Sequence, residues 1–203
     1  MGLFITIEGT DGSGKTTLIK GLRAALESNS VYFTREPGGT SIGTRIRNIL
    51  LEDSSNSMSD LTEVYLFAAA RSQHVSEIIL PKLKKGMTVI SDRFLDSSVA
   101  YQGGGRQIGE KIIENINKFA IQQLEPDLTI FLNINPEIGL SRINSLRSNE
   151  VNRLDQENLT FYNNVRDSYK KIISKNPQRF FIIDATLPQE EILRLVLKKI
   201  NEL

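Results

Sequence analysis

The stretch Gly9-Thr10-Asp11-Gly12-Ser13-Gly14-Lys15-Thr16 follows an apolar run and precedes a segment of helical periodicity. Its spacing, G-x-x-x-x-G-K-[ST], is that of a P-loop, in which consecutive backbone N–H groups turn towards phosphate oxygens. The dipole of the following helix favours an anion at the same place. A glycine-rich structural turn with a solvated lysine is the alternative, but the position between strand and helix favours phosphate binding. The stretch therefore predicts a nucleotide-binding α/β fold.

Short runs of β-branched and aromatic residues alternate along the chain with longer runs of helical periodicity. Several of the short runs are apolar on both faces, as expected of strands that helices cover on both sides. The alternation predicts an α/β fold with a five-stranded parallel sheet, right-handed crossovers and helices on both faces. The predicted strands are Leu3–Glu8, Val31–Arg35, Met87–Asp92, Leu128–Asn133 and Phe180–Asp184. One predicted helical stripe is Leu18, Leu22 and either Ala25 or Leu26, and another is Ile192, Val196, Ile200 and Leu203.

Composition narrows the class of protein. The chain has 203 residues, 39% of them hydrophobic and 24% charged, and no linker divides it, so we predict one domain over residues 1–203. A formal net charge of +1 argues against a sequence-independent nucleic-acid binder, and the lack of cysteine excludes disulfides and thiolate metal sites. The longest apolar stretch, Val64–Ala70, is too short for a bilayer, and the N-terminus has no secretory pattern. We therefore expect a cytoplasmic protein with neither nucleic-acid nor membrane partners.

Two glycine-rich segments follow predicted strands, where ligands bind in open α/β sheets. Glu36-Pro37-Gly38-Gly39-Thr40 comes after the second strand, and Gly103-Gly104-Gly105 comes after the third strand and a short helical piece. Both are predicted to be irregular. A third segment, Ser145–Asn152, is polar and without periodicity, which is compatible with a mobile cover or with a surface connection.

The end of the third predicted strand indicates the kind of reaction. Asp92 is placed to lie near Thr16, so these two residues are the candidate Mg²⁺ site, while Lys15 would reach the β- and γ-phosphates of ATP. A water-activating ATPase would be expected to have a second carboxylate after Asp92, but Arg93 stands there. A guanidinium suits an acceptor phosphate, although a surface ion pair is the alternative. The guanine-reading N-K-x-D is absent, because Ala120 ends the nearest match. Phosphoryl transfer to a bound acceptor is favoured.

With these features in place, the sequence resembles the bacterial thymidylate kinases of the P-loop nucleoside monophosphate kinase superfamily, from Phe4 to roughly Leu197. Many enzymes share the P-loop, whereas the string Thr34–Gly39 and the pair Phe67 and Arg71 occur in fewer families, so they make the resemblance specific. The resemblance implies Mg²⁺-dependent transfer from ATP to dTMP, giving dTDP, in a homodimer. The other matching strings are Ile7–Thr17, Leu66–Arg71, Asp92–Phe94, Asp96–Ser98, Ala100–Gly103, Pro126–Thr129, Arg153–Asp155 and Ile183–Thr186.

The resemblance also implies roles for individual residues. Phe67 would stack on thymine, Arg71 would donate to its carbonyl oxygen, and Tyr101 would lie against the sugar. Ser98 and Gln102 are implied near the base, Arg93 with Arg35 and Arg47 at the dTMP phosphate, Asp11 near the 3′-hydroxyl, and Glu36 on the acceptor side. The implied ATP-binding residues are Gly9, Thr10, Asp11, Gly12, Ser13, Gly14, Lys15, Thr16, Thr17 and Ala185.

Periodicity alone allows other interpretations of some of these residues. Phe67 could belong to a core stripe with Leu61, Val64 and Leu66, leaving Arg71 solvated. His74, the single histidine of the chain, is interpreted as structural or solvated.

The positive charge that neutralises the transition state is expected to come from a lid over residues 142–153. Some members of the family carry an arginine within the P-loop, where this chain has Gly12. The resemblance then points to Arg142 and Arg147 as catalytic residues, with Arg153 as a third candidate. Two other functions stay open at this point: a P-loop kinase for another deoxynucleotide or deoxynucleoside, and a nucleotide-binding module without turnover.

Overall fold

A computed structural model describes residues 2–26, 30–51, 58–146 and 157–203. It contains a five-stranded parallel sheet of β1 (Phe4–Glu8), β2 (Val31–Arg35), β3 (Thr88–Asp92), β4 (Leu128–Asn133) and β5 (Phe180–Asp184), in the order β2-β3-β1-β4-β5. The predicted parallel sheet is confirmed, and each strand begins within one residue of its predicted start. A membrane-spanning helix is not found in these described ranges.

The helices follow the strands and cover the sheet. Two π-helical segments, Val75–Ile79 and Val99–Gly105, each directly follow an α-helix, and a 3₁₀ turn at Pro177–Arg179 precedes β5. The α-helices are α1 (Lys15–Ala25), α2 (Ser41–Leu51), α3 (Asp60–His74), α4 (Leu80–Lys84), α5 (Leu95–Ser98), α6 (Glu110–Asn117), α7 (Pro136–Leu146), α8 (Leu159–Lys175) and α9 (Gln189–Asn201).

Alternation of side chains along the strands gives each face of the sheet its own core. Ile5 and Ile7 of β1 pack with Leu22 of α1 and Val196 of α9 on one face. The other face meets α8 and the Val99–Gly105 segment. Helices on both faces are therefore confirmed. The predicted stripe of α9 is wrong at its end, because Leu203 lies beyond the helix and is 54% exposed.

The prediction of an irregular loop at Gly103–Gly105 is wrong, since these glycines complete the π-helical segment. Their role is close packing. A Cβ on Gly104 would lie 2.5 Å from the Ser168 Cβ of α8, nearer than non-bonded carbon atoms approach. Glycine therefore lets this segment lie against α8, and the same composition that suggested a loop serves a helix contact.

The strand order places the binding crevice at the centre of the sheet. β1 lies between β3 and β4, and the P-loop leaves its carboxyl end. Arg93 follows the adjacent strand β3, and its backbone N–H donates to the Ile7 carbonyl of β1. Ligands bind outside the carboxyl ends of strands in such sheets. The topology thus brings the P-loop and Arg93 side by side.

Candidate active site

The P-loop runs from the end of β1 to the start of α1, and Lys15 is folded across it. The Lys15 Nζ donates to the carbonyl oxygens of Gly9 at 3.0 Å and Thr10 at 2.9 Å. Burial, assisted by the nearby charge of Arg93, lowers the pKa of Lys15 to about 8. A phosphate group close to Nζ would favour the charged form again, because an anion stabilises an ammonium group.

Arg93, Asp11 and Tyr101 form a compact cluster beside the P-loop. The Arg93 Nη2 donates to Asp11 Oδ1 at 2.6 Å, and the Tyr101 hydroxyl donates to Asp11 Oδ2 at 2.7 Å. Burial opposes ionisation of Asp11, but Arg93 and Lys15 hold its pKa below the ordinary value. Burial raises the pKa of Tyr101 well above its ordinary value, so the phenol remains a neutral donor. Arg93 does form an ion pair, with Asp11, but the alternative of a surface pair is wrong, since the two side chains are only 16% and 19% exposed.

A buried carboxyl group supports the segment that carries Arg93. Glu8, the last residue of β1, is fully buried and accepts hydrogen bonds from the Phe94 N–H and the hydroxyls of Ser97 and Tyr169. Ser97 Oγ in turn accepts from Arg93 Nη1 at 2.9 Å. Burial, together with the negative charge of Asp96, raises the pKa of Glu8 to about 7. Glu8 therefore holds Phe94 and Ser97, which follow Arg93, against the end of β1.

Phe67 and Arg71 lie four residues apart on α3 and both face the cavity. The core-stripe interpretation is wrong, because Leu61 is 51% exposed and Phe67 is only partly buried. Arg71 is not solvated either, since only 2% of it is exposed. Its Nε donates to Glu36 Oε2 at 2.8 Å and its Nη2 donates to Ser98 Oγ at 2.9 Å.

Asp92 and Thr16 offer the oxygen atoms that a magnesium ion and its water shell prefer. Asp92 Oδ1 is buried and has no hydrogen-bond partner in the described part of the chain, and both residues line the cavity. An unsatisfied carboxylate oxygen of this kind fits a hydrated cation. The described residues contain no group of three or more Asp, Glu, His or Cys side chains that could hold a metal ion. The oxygen donors of Asp92 and Thr16 therefore fit a hydrated magnesium ion.

Arg142 of α7 reaches over the P-loop towards the end of β5. Its Nη1 donates to the carbonyl oxygens of Ala185 at 3.1 Å and Gly12 at 3.4 Å. A Cβ on Gly12 would lie 2.2 Å from the Gly139 carbonyl oxygen of α7, so a side chain there would displace this helix. Arg147 and Arg153 lie outside the described residues, as does most of the predicted lid.

One cavity of about 1240 Å³ contains these groups. Among the described residues predicted for the site, all line this cavity except Gly9 and Thr10, whose carbonyl oxygens hold Lys15 instead. Sequence reasoning missed Ser97, which lines the cavity, and Asn117, which accepts from Arg71 Nη1. Asn117 carries no sequence signal of its own, because its partner Arg71 lies 46 positions away. Ser97 falls within the matching string Asp96–Ser98 but was given no role.

Comparison with known proteins agrees with this geometry. The thymidylate kinase family model matches residues 7–196. A thymidylate kinase of Limosilactobacillus reuteri is 48% identical, with 99% of this chain and 96% of the relative covered, and one of Bacillus pumilus is 43% identical with the same coverage. The crystal structure of thymidylate kinase from Ehrlichia chaffeensis superposes with a TM-score of 0.78 at 33% identity, covering 98% of each chain. The chain belongs to the thymidylate kinase family.

Proposed function

We propose that this cavity transfers the γ-phosphoryl group of ATP to the phosphate of dTMP, giving ADP and dTDP. The chain shares the family's activity as a nucleoside monophosphate kinase. The assignment to this site rests on one observation: the P-loop and the pair Phe67 and Arg71 line the same cavity. An isolated P-loop would support nucleotide binding alone.

The donor end of the cavity is assigned to ATP. The backbone N–H groups of the P-loop and Lys15 would hold the β- and γ-phosphates, and the N-terminus of α1 adds a favourable dipole. Ala185, which follows β5, lines the same end and would lie beside the adenine. When ATP binds, the Lys15 Nζ would leave the carbonyl oxygens of Gly9 and Thr10 and donate to phosphate oxygens instead.

The acceptor end is assigned to dTMP. Arg93, with Arg35 and Arg47, would hold its phosphate, and burial together with the positive charge of Arg35 lowers the pKa of Arg47. An anion between these cations would relieve their repulsion. The ring of Tyr101 is held by its hydrogen bond to Asp11, which would limit the space beside the deoxyribose and leave Asp11 near the 3′-hydroxyl.

The base is assigned to the pocket around α3. Phe67 would stack on thymine, and Arg71 would donate to a carbonyl oxygen of the ring. Ser98 and Gln102 line the same pocket and would complete the polar contacts. Glu36 takes part through Arg71, since both of its carboxylate oxygens are already bonded to protein groups.

Phosphoryl transfer passes through a loose transition state, so positioning and charge neutralisation carry the catalysis. Lys15 and Arg93 would hold the two anions end to end with their reacting oxygen atoms aligned. Thr16 and Asp92 would hold Mg²⁺, which when bound neutralises charge on the β- and γ-phosphate oxygens. Further positive charge would come from Arg142 and Arg147, or from Arg153. These arginines would belong to a lid over residues 142–153, within a chain that forms a single domain.

We propose a homodimer whose interface contains the exposed apolar side chains of α2 and α3, two helices that pack against each other. Ile42 and Ile49 of α2, with Leu61 and Tyr65 of α3, are each about half exposed. Sedimentation equilibrium should give twice the chain mass, and Leu61→Lys with Tyr65→Lys should shift it to the single mass. A single-chain mass for the wild-type protein would contradict the dimer.

An ADP-release assay with ATP, Mg²⁺ and a panel of nucleoside monophosphates tests the function. We expect the highest kcat/KM for dTMP and a lower value for dUMP, by about 10–200-fold at most, because one methyl group gives limited discrimination. Comparable kcat/KM for dTMP and dCMP would overturn the acceptor assignment. ATP binding without acceptor-dependent ADP release would instead favour a module without turnover.

A further inference from the structure

We propose that His74 is a positioning residue for recognition of the acceptor base, acting on Arg71 through Glu36. The proposal rests on the function proposed above, because it assigns the way in which the acceptor pocket is held in shape. His74 is the last residue of α3 and none of it is exposed. It touches no part of the cavity itself, and its effect on a ligand must pass through other groups.

Three side chains connect the imidazole to the guanidinium group. His74 Nδ1 lies 2.9 Å from Glu36 Oε1, and Arg71 Nε donates to the other oxygen, Glu36 Oε2, at 2.8 Å. Because a carboxylate only accepts, Nδ1 must be the donor. The second ring nitrogen, Nε2, lies 2.6 Å from the hydroxyl oxygen of Thr34 on β2. The imidazole is thus fixed at both nitrogens and holds one oxygen of Glu36 in place.

The hydrogen bonds of Arg71 show why the position of Glu36 matters. A guanidinium has five N–H donors in a rigid plane. Nε is bonded to Glu36, Nη1 to Asn117, and Nη2 to both the Phe94 carbonyl and Ser98 Oγ. One Nη1 donor therefore has no partner among the described residues, while Arg71 lines the cavity. The direction of this donor depends on how the whole plane is held, and Glu36 holds it at Nε.

The surrounding loop presses closely on the histidine. A Cβ on Gly39 would lie 2.6 Å from the His74 ring and 2.8 Å from Thr34 Oγ1. The loop that follows β2 and carries Glu36 is therefore packed directly against the end of α3. A change at His74 would be transmitted to Glu36 with little slack, because tightly packed interiors do not absorb displacements.

A purely structural role and a positioning role differ in what they change. Loss of a buried structural group lowers stability and disturbs both substrates alike. Loss of a group that aims Arg71 weakens the binding of dTMP and its distinction from dCMP, which presents an amino group where thymine has a carbonyl oxygen. The KM for ATP should then be unaffected.

The test compares His74→Phe, which keeps a ring but removes both hydrogen bonds, with the wild-type enzyme. We expect the KM for dTMP to rise about tenfold, with the KM for ATP and kcat each within about threefold. The ratio of kcat/KM for dTMP over dCMP should fall by a similar factor. His74→Asn should recover part of the loss, since its amide nitrogen can occupy the place of Nδ1.

A matched control removes the other hydrogen bond of the same imidazole. Thr34→Val should lower Tm but leave the KM for dTMP within about twofold, because Nδ1 still bonds to Glu36. A rise equal to that of His74→Phe would show that any damage to this cluster disturbs the site, and would overturn the specific role of Nδ1.

A double-mutant cycle identifies the path. Glu36→Gln should raise the KM for dTMP, and adding His74→Phe to Glu36→Gln should raise it no further. Independent, multiplying effects would overturn the proposal, as would equal increases in both KM values or a lower Tm with unchanged KM for dTMP. A wild-type enzyme without dTMP turnover would overturn the proposed function, whereas normal wild-type turnover with an unchanged His74→Phe enzyme would overturn this inference alone.

Discussion

At the scale of the residue, the ionisation of Glu8 opposes folding. Burial and the charge of Asp96 raise its pKa from 4.5 to about 7, so the folded protein favours the protonated form. The contribution of Glu8 to stability is therefore fully present below about pH 4.5 and is lost as the pH rises to about 7. A difference of this size between the folded and unfolded pKa corresponds to about 3 kcal/mol.

Glu8→Gln removes this titration while keeping a hydrogen-bonding side chain of the same length. We expect the free energy of unfolding of the variant, relative to wild type, to rise by about 2–3 kcal/mol between pH 5 and pH 8. Urea unfolding at several pH values measures this difference. A difference that stays constant over that range would mean that Glu8 ionises in the folded protein as easily as in the unfolded chain.

Lys15 is expected to act on phosphate and not on the fold. Lys15→Ala removes the Nζ contacts with the P-loop and the charge for the β- and γ-phosphates, so kcat should fall by about 10²–10³. Since burial lowers the pKa of Lys15 to about 8, ATP binding by the wild-type enzyme should weaken as the pH rises above 8. ATP titrations at pH 7 and pH 9, with circular dichroism as the check on folding, test both points.

Residues were predictable from the sequence where their function depends on local spacing. The P-loop is such a case, because eight consecutive residues define both its backbone and its chemistry. Arg71 with Glu36, and Glu8 with the Phe94 N–H, are pairs separated by 35 and 86 positions. Their contacts arise only when the sheet brings α3, the loop after β2 and the start of α5 together. The buried contacts of His74, Asn117 and Glu8 were therefore not predictable from the neighbouring sequence.

At the scale of the element, one face of α3 serves both the core and the cavity, because Val64, Phe67, Ala68 and Arg71 are spaced i, i+3, i+4 and i+7. Val64 and Ala68 are buried in the protein, while Phe67 and Arg71 line the cavity. Periodicity predicted the helix but not which residues of this face contact a ligand, because an apolar residue such as Phe67 fits either environment. The prediction at Gly103–Gly105 was wrong for the same kind of reason, since glycines serve a tight helix contact as well as a loop.

Phe67→Ala tests the face of α3 that is assigned to the base. Loss of aromatic stacking costs about 1–3 kcal/mol per base, so the KM for dTMP should rise by about 5–150-fold while the KM for ATP changes little. Steady-state kinetics with each substrate varied in turn measures the difference. Equal changes in the two KM values would indicate that Phe67 supports the helix rather than the base.

The C-terminal part of α7 carries the first candidate for transition-state charge. Arg142 now bonds to carbonyl oxygens of Ala185 and Gly12, within reach of the donor end of the cavity. If lid arginines neutralise the transferred group, Arg142→Ala or Arg147→Ala should lower kcat by about 10³ or more, as for other arginine fingers. Pre-steady-state phosphoryl transfer separates this effect from product release. Unchanged kcat in both variants would rule out these two residues.

At the scale of the whole molecule, the strand order explains why the fold was more predictable than the site. Parallel strands with helical crossovers follow from alternating patterns that extend over the full chain. The order β2-β3-β1-β4-β5 then brings the ends of β1 and β3 together, and with them the P-loop, Asp92 and Arg93. The pairing of donor and acceptor ends is thus a property of the sheet, whereas the base pocket depends on how α3, α5 and the loop after β2 pack above it.

Mg²⁺ is expected to be needed for the reaction and not for the fold. Within the described residues no cluster of metal-binding side chains is present, and Asp92 with Thr16 offers only a partial shell. Removal of Mg²⁺ with EDTA should therefore abolish turnover while leaving the Tm of the nucleotide-free protein within about 1 °C, because no binding energy of a resident ion is lost from the folded state. Adding ATP should raise Tm more with Mg²⁺ than without it, and Asp92→Asn should reduce that gain. A large fall in Tm on chelation of the free enzyme would contradict a cation that binds together with the nucleotide.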